Sequence, residues 1–174
     1  MEKIKSFTID HMTLMPGVYE SRQDCISGDD AFGAFGTPGR DHEVLPADSI
    51  YPVTTYDIRI TRPNFEPVMG TGEVHTIEHL GATYLRNRAD LRYRVIYWGP
   101  MGCRTGFYLI LAGAVPVSDV TKLMTDTFEF VAAFEGEIPG AKPEECGNYS
   151  DMDLPAAKKR AAAYLEVLKK QTES

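Results

Sequence analysis

The sequence predicts an α+β domain, with an antiparallel sheet packed against helices in a compact sandwich. Three observations point there. Stretches that alternate apolar and polar residues are joined by short turn signals, as antiparallel strands are. Segments of helical period are grouped apart from them and do not alternate strand by strand. The length, 174 residues with 43% hydrophobic content, suits one domain spanning residues 1–174 with a core of useful size.

Taken in order, residues 6–9 read as an opening strand. Residues 21–52 hold Gly28, Gly33, Gly36, Pro38, Gly39 and Pro46, a density of breakers that suits one long surface loop. Residues 54–61 set Tyr56, Ile58 and Ile60 against Thr55, Asp57 and Arg59, the pattern of a half-buried strand that Pro63 then closes. A helix is expected over about 73–88, with Val74, Ile77, Leu80, Ala82, Tyr84 and Leu85 forming its apolar side. Residues 92–98 and 106–114 read as two strands around the turn Gly99-Pro100-Met101-Gly102. Ser118 is suited to cap a helix running to about residue 134, with Asp119 at its positive end. Residues 135–149 read as loop, and 155–170 as a final amphipathic helix with Leu165 and Leu168 on its apolar side.

Composition narrows the partners. A net charge of -7 leaves no basic stripe for neutralising phosphates, so no nucleic acid is expected. The longest apolar run, residues 107–117, is far shorter than a membrane span. With no recognisable export signal at the start, a cytoplasmic protein is expected. Three cysteines without such a signal do not suggest a disulfide framework. Each is then a buried filler, a metal ligand or a reactive thiol.

His75-Thr76-Ile77-Glu78-His79 is the sharpest chemical signal. Residues four apart on a helix share a face, so both imidazoles can reach one ion, with Glu78 beside them as a base. The pattern is that of the inverted zincins, H-x-x-E-H. A third ligand is needed, and a thiolate suits zinc or ferrous iron. Cys146, followed by Gly147, can supply it, though on spacing alone a small buried hydrophobe reads as well. Cys103 lies between glycines that allow close approach, next to Arg104, which could lower its pKa. His11 reads as hydrogen-bonded structure or as a catalyst, and Arg59 as an exposed strand residue or as an anchor for a polar substrate. His42 and Cys25 read as ordinary loop residues.

Together these residues resemble the S-ribosylhomocysteine lyase (LuxS) family. The match is carried by Ser6-Phe7-Thr8-Ile9-Asp10-His11, Asp57-Ile58-Arg59 with Pro63-Asn64, His75 to Leu80, Pro100-Met101-Gly102-Cys103-Arg104-Thr105-Gly106-Phe107-Tyr108, and Cys146-Gly147. The resemblance implies that His75, His79 and Cys146 hold one divalent metal per subunit, Fe2+ or Zn2+. It implies that Glu78 and Cys103 are the acid/base pair, and that Ser6, His11, Arg59 and Arg86 line the substrate pocket. It also implies a homodimer with active sites at the subunit interface. The reaction would cleave S-ribosylhomocysteine to homocysteine and 4,5-dihydroxypentane-2,3-dione, the autoinducer-2 precursor of quorum sensing. Two departures stand out: Tyr97-Trp98-Gly99 replaces the family's usual Asp-Ile-Ser before Pro100, and the 21–52 stretch reads as longer than usual. Rival readings are an inverzincin-type metallopeptidase and a non-catalytic metal domain closed by His75, His79, Cys146 and Cys103.

Overall fold

The alternating stretches form a four-stranded antiparallel sheet. The computed structural model describes residues 10–27, 50–90 and 94–172. Strands β1 (Gly17–Ser27), β2 (Ile50–Arg59), β3 (Val95–Pro100) and β4 (Gly106–Ala112) are ordered β1-β2-β4-β3. Helices α1 (Thr71–Asn87), α2 (Val117–Ala133) and α3 (Leu154–Thr172) are gathered on one face. Helix α1 lies against β3, while α2 and α3 pack on each other and reach β1. This is the α+β sandwich expected from the sequence. None of the described helices is long and apolar enough to cross a membrane.

The core lies between the sheet and the helices. Alternation turns Tyr56 and Ile58 of β2 and Phe107, Leu109 and Leu111 of β4 toward the helices, and all five are fully buried. Val120, Met124, Phe128 and Val131 recur at helical spacing along α2, as do Ala157, Ala161, Tyr164 and Leu168 along α3. Trp98 stacks on Phe107 with ring centroids 4.7 Å apart. Gly81 makes room for it, since a Cβ there would stand 2.6 Å from the indole nitrogen. The core thereby clamps α1, the helix carrying the histidines, onto β3.

The opposite face of the sheet carries a buried ion pair. Arg59 holds Asp57 with two bonds, Nε to Oδ1 at 3.0 Å and Nη2 to Oδ2 at 2.5 Å. Both side chains are almost wholly buried, so the charges need each other. Burial lifts the Asp57 carboxyl above its ordinary pKa, and the bonds and charge of Arg59 restrain that rise. Tyr19 and Tyr108 are its cross-strand neighbours.

Several boundaries differ from expectation. Residues 21–27 and 50–52 are strand, because β1 pairs with β2 from Gly17–Arg59 to Ser27–Ile50. Cys25 thus sits in β1, exposed. The remainder of the expected long loop, with His42, lies outside the described residues, as do the strand expected at residues 6–9 and Arg92. Strand β2 ends at Arg59, two residues early, since the amides of Ile60 and Thr61 both turn to the Thr105 carbonyl. Ser118 does not cap α2. The helix opens at Val117, and the Pro116 carbonyl takes the amides of Asp119 and Val120. At β1, the outermost strand among the described residues, the Gln171 side chain accepts from the Val18 amide at 2.9 Å and donates to its carbonyl at 2.8 Å.

Candidate active site

The first turns of α1 present the donors. Gly70 at the N-cap has no side chain to offer, so Glu73 reaches back alone, its Oε2 accepting from the Gly70 amide at 3.0 Å. The other oxygen takes Arg160 of α3 at 2.5 Å, which anchors the start of the helix. Half-buried His75, Glu78 and His79 follow on one face. The imidazoles meet edge to face, with centroids 4.7 Å apart.

Cys146 enters from the loop before α3. Its amide bonds the Lys142 carbonyl in a tight turn, and its sulfur lies 3.4 Å from Nε2 of His75. The donor atoms of His75, His79 and Cys146 all lie within 4.8 Å of one another. An ion 2.0–2.3 Å from each would need them about 3.3–3.8 Å apart, so only small side-chain adjustments are required. The ring orientations suit this. Nδ1 of His75 stands 2.9 Å from the Asp151 carbonyl, and Nδ1 of His79 stands 2.8 Å from the Pro139 carbonyl. A carbonyl can only accept, so each Nδ1 carries the proton and each Nε2 keeps its lone pair for metal. Three donors of this kind fit zinc or ferrous iron and leave a coordination position open.

The thiol belongs to a second group. Cys103 stands in the turn between β3 and β4, closed by the Arg104 amide on the Met101 carbonyl at 2.9 Å. Arg104 has φ +57°, a left-handed conformation unusual for a residue with a side chain. Cys103 Sγ is 3.0 Å from the Thr105 hydroxyl, which also takes Nη1 of Arg59 at 2.5 Å. Burial pushes the thiol pKa up, but hydrogen bonds from the Thr105 side chain and amide, with the charge and a side-chain hydrogen bond of Arg59, outweigh it. The thiol sits below its ordinary value. Arg59 is thus the cation that the sulfur feels, where the sequence pointed to Arg104. Arg59 also has neither an exposed strand position nor a free edge for substrate, being 1% exposed with its fork held by Asp57 and Thr105.

Cys103, Thr105 and His11 line a cavity of about 360 Å³ with Pro63, Asn64, Glu66 and Val68. His11 therefore joins Cys103. The metal donors do not line this cavity, and the donor cluster does not include Cys103. The four-donor closed site of the non-catalytic reading is not formed within the described chain. Arg86 is exposed in the last turn of α1, about two turns beyond His79. Ser6 lies outside the described residues.

A family profile described as S-Ribosylhomocysteinase (LuxS) matches residues 41–174. The chain belongs to that family. Proteins named S-ribosylhomocysteine lyase are similar along nearly the whole length. The one from Clostridium beijerinckii is 52% identical over 165 residues, covering 95% of this chain and 90% of the relative. That from Finegoldia magna is 51% identical over 97% of this chain and 92% of its own. The Phocaeicola vulgatus protein is 48% identical, with 99% and 94% covered.

In this LuxS-family chain, sequence reasoning passed over the groups that aim the ligands: the carbonyls of Asp151 and Pro139, and Gly140, where a Cβ would meet Nδ1 of His79 at 3.0 Å. It passed over Thr105 as well. Glycine after proline, and a hydroxyl two residues from a cysteine, were the available signals, and both are common without a site.

Proposed function

We propose that this chain is an S-ribosylhomocysteine lyase, acting as one metal-dependent domain, that cleaves the substrate thioether to homocysteine and 4,5-dihydroxypentane-2,3-dione. His75, His79 and Cys146 hold the metal, Fe2+ or Zn2+. When bound, that ion supplies Lewis-acid polarisation of a substrate carbonyl. The protein's own groups then move protons. Cys103 as thiolate takes a proton from the weakly acidic carbon beside the carbonyl. Glu78, on the donor face of α1, returns a proton at the neighbouring position. Repeating the exchange walks the carbonyl toward the C–S bond, after which loss of the proton α to the carbonyl expels the homocysteine thiolate from the β carbon. Each well-placed acid or base contributes about 10²–10⁴-fold. His11 and Ser6 orient the substrate's polar groups, Arg86 offers a further cation to the substrate, and Arg59 keeps positive charge beside the thiol.

The observation carrying this reading is the pairing of a three-donor cluster that leaves a position open with a thiol of lowered pKa. A peptidase reading gives that thiol no task. The separation of cavity and cluster within one chain supports a homodimer with its active sites at the subunit interface. Exposed apolar residues support it too: Val68 at the cavity, Phe65 in the segment before it, and Ile96 and Tyr97 on β3.

Thiol release from S-ribosylhomocysteine, with metal content measured on the same sample, tests the reaction. Cys103→Ala and Glu78→Gln should each retain metal and lose release by at least about 10²-fold. Mixing the two inactive variants tests the interface, because a mixed dimer regains one intact site only if each site draws on both subunits. Normal release by Cys103→Ala would sink the proton-transfer assignment, and no recovery on mixing would place each site within one chain.

A further inference from the structure

We propose that Thr105 is a positioning residue whose hydroxyl, oriented by Arg59, favours the thiolate form of Cys103 beside the direct influence of Arg59. The inference rests on Cys103 being the proton carrier of the proposed reaction, and it adds the residue that readies it.

Hydrogen-bond direction carries the case. A guanidinium can only donate, so Nη1 of Arg59, 2.5 Å from Thr105 Oγ1, must use one of the oxygen's lone pairs. The hydroxyl proton is thereby turned away from the cation. Cys103 Sγ lies 3.0 Å from the same oxygen, so the sulfur accepts that proton and the hydroxyl favours its thiolate form. Nothing upstream is free to rotate. Asp57 occupies Nε and Nη2 of Arg59, leaving Nη1 for Thr105. Thr105 is 4% exposed, and its carbonyl is fixed by the amides of Ile60 at 2.9 Å and Thr61 at 3.1 Å. The relay Asp57–Arg59–Thr105–Cys103 therefore runs from the end of β2 to the β3–β4 turn with a defined direction at each bond. The other titratable groups around the sulfur are His11 and Glu66 on the cavity wall, Tyr108 on β4, and Tyr19 of β1 beside Asp57. Thr105 Oγ1 stands closest to hand, 3.0 Å from the sulfur, and Arg59 adds its charge and a side-chain hydrogen bond of its own.

The test follows alkylation of Cys103 by iodoacetamide against pH in the metal-loaded protein, read at the Cys103 peptide by mass spectrometry. Thr105→Val keeps the shape and removes the hydroxyl, and its alkylation midpoint should rise by about one pH unit. Thr105→Ala should move the same way without any risk of overpacking. Thr105→Ser restores the hydroxyl and should return the midpoint to that of the wild type. An unmoved midpoint in both the Val and Ala variants would overturn the proposal. So would a Ser variant displaced as far as Val, since that would assign the effect to the methyl group. The readout is independent of turnover: if Cys103 took no part in catalysis, thiol release would ignore Cys103→Ala while this midpoint still moved.

Discussion

The metal cluster and the thiol relay are built by opposite means. In the cluster, one helix sets two histidines a turn apart, and neutral backbone carbonyls aim them. Its ligands are half-buried, and the surrounding charges, such as Glu73 with Arg160, lie at the helix start. In the relay, a buried carboxylate and guanidinium are joined across strands to a turn. Helical geometry makes the first robust to local change. The second depends on charges that are costly to bury unless all are present. The difference teaches that this site separates ligand placement, a matter of rigid backbone, from thiol activation, a matter of compensated charge.

The largest expected effect breaks the relay and spares the cluster. Asp57→Asn leaves a buried guanidinium without its counter-charge and should cost about 3–5 kcal/mol of stability, read from the urea midpoint. Metal content of the folded fraction should stay near wild type. Equal loss of metal would mean that the two groups are coupled after all.

A smaller effect is expected on the other side. Gly140 has φ +77°, and a Cβ there would stand 3.0 Å from Nδ1 of His79. Gly140→Ala should displace the ring from the Pro139 carbonyl and weaken metal binding about 10–100-fold, as loss of an outer-shell partner does. A competition titration with a chromophoric chelator measures this. Unchanged affinity would show that the ring is held by packing and not by the carbonyl.

The smallest effect concerns the wild-type thiol. Its pKa is lowered in the fold, so the thiolate persists as pH falls below the ordinary thiol value and is lost only through the lower, folded value. Alkylation of Cys103 should be half-maximal at a lower pH in the native protein than in the urea-unfolded reference. Coincident native and unfolded curves would remove the functional case for the relay.

This contrast also governs what could be read from the chain. The histidine pair and the apolar sides of α1 and α3 follow from spacing within a few residues, and they were legible. Cys146 reaches His75 from 71 positions away, so no local pattern joins them, and family resemblance had to supply the link. Arg59 and Thr105 are 46 positions apart. The sequence instead offered Arg104 as the cation, adjacent in the chain but held in a left-handed turn. Strand β1 went unread, its second half taken for loop because Arg22, Gln23 and Asp24 look like one. Only pairing with β2 makes that polar stretch a strand.

Gln171 has a consequence outside catalysis. Its side-chain amide meets both the N–H and the C=O of Val18, doing at one residue what a neighbouring strand would do along the whole edge. An open edge is a template on which another chain can add by backbone pairing, and natural sheets guard such edges. Here the guard comes from the last turn of the C-terminal helix. A chain whose terminal helix has frayed would therefore uncover a site for intermolecular β-addition, and its first symptom would be self-association on storage, with the chemistry of the site still intact.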